Sequence, residues 1–418
     1  MSETRSTVAV IGSGVGGLTA AHILSRERYV TLFEADARLG GHTHTHRVGV
    51  AQLPVDSGFI VHNAANYPLL TRMFTEVGVS TRGSEMSMSV SCEGCGLRYV
   101  SGSTLRSVPS RPPSVDRLTW RQALAEMERF NGQVSKVLAE PATSLTLGEL
   151  LEGEGYSGYF VRHLLLPLVC AVWSCGPSSA LQYPARYLFR FLSNHGLLHG
   201  SRATRWRTIV GGSADYVRRI VAGLPDVRPA TRVVAVTRAA RGVEVTNEHG
   251  RTEYFDAAVI GAHPADALAM RTDPTCEEQE VLAAISYVSS DVLLHTDSQL
   301  LPEAMADRAS WNFRQDHCDA ADKDVSVSYH LNQLQGLPTG TDYVVTLNAP
   351  DRVDPSQVLA AMRYEHPLYT LESLRAQDRL ASLNSPTLAY AGAYHGWGFH
   401  EDGCHSGVAA ARALGVSW

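Results

Sequence analysis

Residues 7–24 read TVAVIGSGVGGLTAAHIL, and this stretch decides the fold. The apolar run Val8 to Ile11 has the length of a buried strand. Glycines follow at 12, 14 and 17, and an alanine- and leucine-rich helical pattern continues from there. Strand, tight turn and helix in that order predict a phosphate-binding unit. Gly12 permits the turn, Gly14 lets the backbone approach a diphosphate, and Gly17 lets helix and strand pack closely; the helix N-terminus adds free N–H groups and a positive dipole end. A second apolar strand, YVTLFEA, carries Glu34 near its end, twenty residues after Gly14. A carboxylate there accepts hydrogen bonds from the two hydroxyls of a ribose and repels a 2′-phosphate, so the motif predicts a dinucleotide other than NADP.

The rest of the composition narrows the class. At 418 residues, 44% hydrophobic and 19% charged, with a net charge of -6, the chain has room for a substantial core and no electrostatic footprint for nucleic acid. Seven cysteines, of which only Cys92 and Cys95 are closely spaced, do not make a disulfide framework and point to a reducing, cytoplasmic setting. The opening MSETRSTVAVIG lacks the apolar region of a signal peptide. The most apolar run, LLLPLVCAVW from Leu164 to Trp173, is too short to span a bilayer and is interrupted by Pro167. It is expected as a core element or the lining of a greasy pocket. No integral membrane segment is expected; peripheral membrane contact and the oligomeric state stay open.

Three histidine- or cysteine-bearing stretches raise metal chemistry. In GGHTHTH, residues 40–46, His42, His44 and His46 recur at every second position and would leave one face of a strand. A metal-binding protein built on that cluster is the reading of another class. SCEGCGLRY holds Cys92 and Cys95 at the spacing of half a zinc knuckle, but no second pair follows at a comparable distance, so a turn between two strands with Glu93 and Gly94 at its tip is expected. FHEDGCH does not suit a zinc protease, because the position four after His400 is Cys404, and His405 comes one later. No residue is therefore assigned as a metal ligand.

After Glu34 the chain runs EADARLGGH, with Arg38, Gly40, Gly41 and His42. This resembles the second dinucleotide motif of the FAD-dependent amine oxidase and phytoene desaturase clan, which implies that the glycine pair passes the flavin diphosphate and that His42 packs near the flavin. Further pieces arrive in the clan's order. VDSGFIVHNAANYPLL, from Val55, resembles the segment passing the flavin ring, with Gly58, Phe59 and Ile60 at contact positions. WRTIVGGSADYVRRI, from Trp206, resembles the return to the FAD domain, and RVVAVTR carries Val233 where a valine backbone meets adenine. FDAAVIGAHPADAL, from Phe255, resembles the exit. LAYAGAYHGWGFHEDGCHSGVAAARAL, from Leu388, resembles the C-terminal FAD motif, placing Gly392, Phe399, His400 and Glu401 around the flavin. AVWSCGP, FLSNHGLL and SYHLNQLQG read like a bacterial subgroup of FAD/NAD-binding, amine-oxidase-like flavoproteins.

The resemblance implies an α/β fold: a Rossmann-type FAD-binding domain of the amine-oxidase kind, interleaved with an α+β substrate-binding lobe. The FAD domain would comprise residues 1–75, 205–265 and 385–418, and the lobe 76–204 and 266–384, with SVPSRPPSVDRL (107–118) as a surface loop of the lobe. The chain has only Lys136 and Lys323, and neither lies in an apolar strand facing the flavin. The lysine that many amine oxidases set near flavin N5 is thus missing. This favours carbon–carbon dehydrogenation or double-bond isomerisation of a hydrophobic small molecule over amine oxidation with peroxide release. Proton handling is expected of His395, His62 or Tyr394, which fall beside the flavin by the same match.

Overall fold

The computed structural model describes residues 5–102, 115–139, 144–197 and 205–418; of the loop expected at 107–118, residues 107–114 lie outside them, and Arg117 and Leu118 instead begin the helix Arg117–Ala139. The opening motif forms strand β1 (Thr7–Ile11), helix α1 (Val15–Leu24) and strand β2 (Tyr29–Phe33). β1 sits in a five-stranded sheet, in the order Asp226–Arg228, β2, β1, Ala257–Ile260, Leu388–Tyr390. All of its pairings are parallel. Val8 and Val10 of β1 join one apolar cluster and Ala9 and Ile11 another, so both faces are covered, as a parallel sheet requires. The order changes direction at β1, and the carboxyl edge there is where such sheets take ligands.

α1 lies under the sheet against the helix His400–Ala413. The two approach backbone to backbone. A Cβ on Gly407 would collide with the Gly16 carbonyl oxygen, and one on Gly16 would come within 3.0 Å of the Gly392 nitrogen. These glycines explain why a sequence from near the end of the chain seats against one from its beginning.

A second, seven-stranded sheet runs Val358–Pro367, Tyr287–His295, Val344–Leu347, Val325–His330, Trp311–Gln315, Ser87–Cys92, Leu97–Gly102. Its pairings are antiparallel except for Ser87–Cys92 beside Trp311–Gln315. One apolar cluster joins this sheet to helices between 117 and 194. The expected apolar element 164–173 is found there: a π-helical turn, Val161–Leu165, runs straight into the helix Leu166–Trp173.

The histidine-rich stretch builds the connection between the two sheets. Thr45–Val48 pairs antiparallel with Leu53–Asp56, and the ladder extends outward through Ser57 N to His44 O (3.0 Å) and Phe59 N to His42 O (3.0 Å). Asp56 anchors it. Its fully buried carboxylate accepts from Thr45 Oγ1, from Ser213 N and Oγ (2.9 and 2.8 Å to Oδ1) and from Gln335 Nε2 (2.8 Å). Burial still raises its pKa to about 6, against those hydrogen bonds.

Candidate active site

The glycine loop forms an open cradle. Gly12 has φ +98° and donates its N–H to Phe33 O at 2.8 Å, and a Cβ on it would lie 2.5 Å from the Gly261 oxygen. A Cβ on Gly17 would strike the Gly12 carbonyl, whereas one on Gly14 would meet nothing within 4 Å. No side chain caps α1 and no acidic residue stands in its first turn, so its leading N–H groups and positive end are left for an anion. Glu34 stands at the carboxyl edge of the sheet, its main chain held by Arg228 O and Thr231 N. Its carboxylate accepts from Ser13 N (2.8 Å) and Asp36 N (3.0 Å). Val233, buried, opens the strand Val233–Ala239 two residues beyond Thr231.

Arg38 is placed differently from a ligand-facing cation. Its guanidinium donates to Thr43 O (2.9 Å) and Gly41 O (2.8 Å), shaping the turn in which Gly40 and Gly41 have φ +115° and +57°. A Cβ on Gly41 would come within 3.1 Å of Gly14 Cα, so the two glycine loops face each other main chain to main chain. Bare backbone, an uncapped helix end and a carboxylate at the far side fit the diphosphate and ribose of a dinucleotide.

Beyond the cradle lies a cavity. Its walls hold four of the six tryptophans, Trp173, Trp206, Trp311 and Trp397, together with Tyr67, Tyr329, Tyr364 and Tyr369. Gly58, Phe59, Ile60, His42, Phe399 and His400 also line it. Phe399 stacks on Phe191 at 4.7 Å and His400 on Phe59 at 3.8 Å. Among the described residues no Asp, Glu, Lys or Arg contributes to this wall. Lys136 and Lys323 are both exposed and are not among its lining residues, lying on the helix Arg117–Ala139 and the turn Asp322–Asp324.

The cavity's polar groups are neutral. Burial drives the His42 pKa well below the usual histidine value, helped by His366 and His263, and brings His366 and His195 down to about 4 and His400 to about 3. Tyr364 OH bonds Ser57 Oγ (2.8 Å) and His44 Nδ1 (3.1 Å). The His44 and His46 rings lie 3.9 Å apart in a tilted pair, and His46 Nε2 bonds Ser57 Oγ at 2.8 Å. The three alternating histidines therefore separate: His42 lines the cavity against His366 and Tyr364, while the other two engage hydroxyls behind it.

A second hollow shares Tyr67, His195, Trp397 and Phe399 with the cavity and adds Glu401 and Asp402. The Glu401 carboxylate accepts from Leu69 N (2.9 Å) and Leu70 N (3.0 Å), in the first turn of helix α2 (Pro68–Glu76). Asp402 accepts from Phe399 N (2.9 Å), and burial lifts its pKa to about 6.

His395, His62 and Tyr394 do not line the cavity. Tyr394 is packed in the core beside Gly392 with its hydroxyl unpartnered. His62 is buried and His395 half-buried, and desolvation brings both to about 4. Sequence reading missed Tyr364 and His366. Both lie on Val358–Pro367, two residues apart and so on one face of the strand, a period-two signal present in YEHP.

Comparison with known proteins completes the picture. The sequence profile described as flavin containing amine oxidoreductase matches residues 15–313, well over half of the chain. Polyamine oxidase 2 of Arabidopsis thaliana is 26% identical over 321 residues, 72% of this chain and 61% of the relative. The chain spans about three-fifths of the length of the curated relatives it matches. Among solved structures, cyclohexylamine oxidase from Brevibacterium oxydans IH-35A superposes with a TM-score of 0.72 at 16% identity, covering 98% of each chain. A CLA-producing fatty acid isomerase from P. acnes gives 0.65 at 15% identity over 97% of this chain and 98% of that one. With the fold and the profile in agreement, the chain belongs to the flavin containing amine oxidoreductase family.

Proposed function

We propose that this enzyme oxidises an amine carried on an apolar body. The observation that carries this reading is an aromatic cavity without a fixed charge, adjoined by a hollow bearing Glu401 and Asp402. Aromatic faces attract an ammonium group by about 0.5–2 kcal/mol while also accepting a hydrocarbon ring or chain. An acid headgroup, by contrast, would find no cation among the described wall residues.

FAD, when bound, supplies the two-electron acceptor. We assign Gly12, Gly14, Gly17 and Glu34 to its diphosphate and ribose, with Arg38 shaping the Gly40–Gly41 turn around it. His42, Gly58, Phe59, Ile60, Phe399 and His400 would border the flavin side of the cavity, and Val233 the adenine side. Trp173, Trp397 and Tyr364 would exclude water from the reacting carbon. Histidines with pKa values of about 4 are uncharged near neutrality and put no positive charge on the wall; an ammonium has no lone pair to support hydride loss, so the amine must shed its proton before it reacts.

A second reading, dehydrogenation or isomerisation of an uncharged polyene, is favoured by the absence of any lysine from the cavity wall. The test uses flavin-loaded enzyme with cyclohexylamine, benzylamine and a polyene under air. Amine oxidation predicts flavin bleaching without oxygen and peroxide with it, with kcat/KM rising through the amine's own pKa. A polyene product without peroxide, and silence toward amines, would replace the first reading with the second.

A further inference from the structure

The hairpin holding Cys92 and Cys95 meets two residues far away in sequence. Among the described residues, Cys92, Cys95, His163 and Cys318 bring three sulfurs and one imidazole nitrogen within 4.8 Å of one another. Cys92 Sγ stands 3.8 Å from Cys318 Sγ, and Cys95 Sγ stands 3.7 Å from His163 Nε2. For ligands about 2.3 Å (sulfur) and 2.0 Å (nitrogen) from a tetrahedral zinc, the edges come to about 3.5–3.8 Å. The separation is far too long for a disulfide, whose sulfurs lie about 2.05 Å apart, and all seven cysteines are free.

We propose that Cys92, Cys95, Cys318 and His163 bind a structural zinc ion. Four features beyond proximity support it. His163 Nδ1 donates to Tyr159 O at 3.0 Å, which fixes the tautomer that leaves Nε2 as a free lone pair, and the ring stacks on Tyr159 at 4.1 Å. Gly94 at the hairpin tip lies so close to the Cys318 segment that a Cβ would come within 3.1 Å of His317 Cα and 3.2 Å of Cys318 N. Gly96, just after Cys95, takes φ +70°, a conformation that turns the chain back after the second thiol. Arg162 Nε donates to Cys318 O at 2.5 Å, and Tyr99 OH to His163 O at 2.8 Å, so the segments are also held from outside.

The set is closed: three thiolates and one imidazole fill a tetrahedron and leave no position for substrate. Binding releases the three thiol protons and forms three Zn–S bonds and one Zn–N bond, with no change of oxidation state. The ion would clamp the tip of Ser87–Cys92 and Leu97–Gly102 and the loop after Trp311–Gln315 to the π-helical turn Val161–Leu165. That turn leads into the helix that places Ala171 and Trp173 on the cavity wall. The clamp thus braces the substrate wall from behind.

The test is elemental analysis and zinc-edge X-ray absorption on flavin-loaded enzyme purified without chelator. The expected result is one zinc per chain with three sulfur neighbours and one nitrogen. Cys95→Ser and His163→Gln should lose the metal, and Cys276→Ser, whose exposed thiol lies elsewhere, should keep it. If the first two variants do not fold, the absorption spectrum of the unaltered enzyme still decides. Metal-free protein that retains its flavin, iron in place of zinc, a shell of nitrogen and oxygen, or a Cys92–Cys318 disulfide in the freshly purified protein would each overturn the proposal.

Discussion

Gly14 and Gly17 stand three residues apart in one motif, yet the space around them assigns them different tasks. A Cβ on Gly17 would run into the Gly12 carbonyl, and one on Gly14 would meet no atom within 4 Å. Gly17→Ala should therefore destabilise the fold by at least about 1 kcal/mol, through forced overpacking. Gly14→Ala should leave stability within about 0.5 kcal/mol. It should still weaken FAD binding by about tenfold or more, about 1.4 kcal/mol. Thermal melts of flavin-free protein and fluorescence titration with FAD check both, and equal loss of stability in the two variants would contradict the assignment. The glycine spacing was readable because it encodes backbone geometry over a few residues. The role of Arg38 was not, since a guanidinium that serves carbonyls at 41 and 43 has the same spacing as one that faces a ligand. His395, His62 and Tyr394 show the same limit: their nearness to a motif says nothing of the side from which the cavity opens.

Helix α2 begins with Tyr67 and Pro68 and has no side-chain cap of its own. It borrows one from Glu401, at the head of the helix His400–Ala413. Glu401→Gln keeps one acceptor and removes the charge near the α2 dipole, and should cost about 1 kcal/mol. For a chain of this size that lowers Tm by about 2 °C or less. A melt unchanged within error would show the cap to be idle. Nothing local to either helix announces this contact, which depends on two elements more than three hundred residues apart. The hairpin at Cys92 and Cys95 teaches the same lesson. Its strands and tip were legible from alternation and from the glycine, but the search for a second cysteine pair nearby could not find Cys318 and His163, which reach it through the sheet and the helical layer. The apolar run at 164–173, read as core or pocket lining, is both: its helix is buried, and Ala171 and Trp173 face the cavity.

Across the molecule, buried histidines set the response to acid. His62, His195, His295, His366 and His395 are each held near 4 by burial, whereas an unfolded histidine titrates near 6.5. Their contribution to stability is complete above about 6.5 and is lost as pH falls toward 4, because the unfolded chain takes up protons first. Asp56 and Asp402, raised to about 6, act in the opposite sense: their contribution is complete below about 4 and is lost as pH rises through 6. Five groups outweigh two, so Tm should fall between pH 7 and pH 5. A higher Tm at pH 5 would refute this balance. The interleaved origin of the parallel sheet, with strands at 7–33, 226–260 and 388–390, was legible because each return carries its own glycine-rich turn. The cavity was not, because its wall is assembled from segments between residues 42 and 400 that share no local pattern.

The seam between α1 and the helix His400–Ala413 also governs when the protein can become an enzyme. A ribosome extrudes β1 and α1 well before the strand 257–260, and the strand 388–390 and the helix that backs α1 follow later still. At about 5–20 residues per second, the roughly 390 residues separating α1 from Ala413 take about 20–80 s to synthesise. Throughout that interval the glycine loop is present without the surfaces that hold it in shape. Capture of FAD therefore belongs to the time after residue 413 has cleared the exit tunnel, and a nascent chain arrested before residue 388 should emerge colourless.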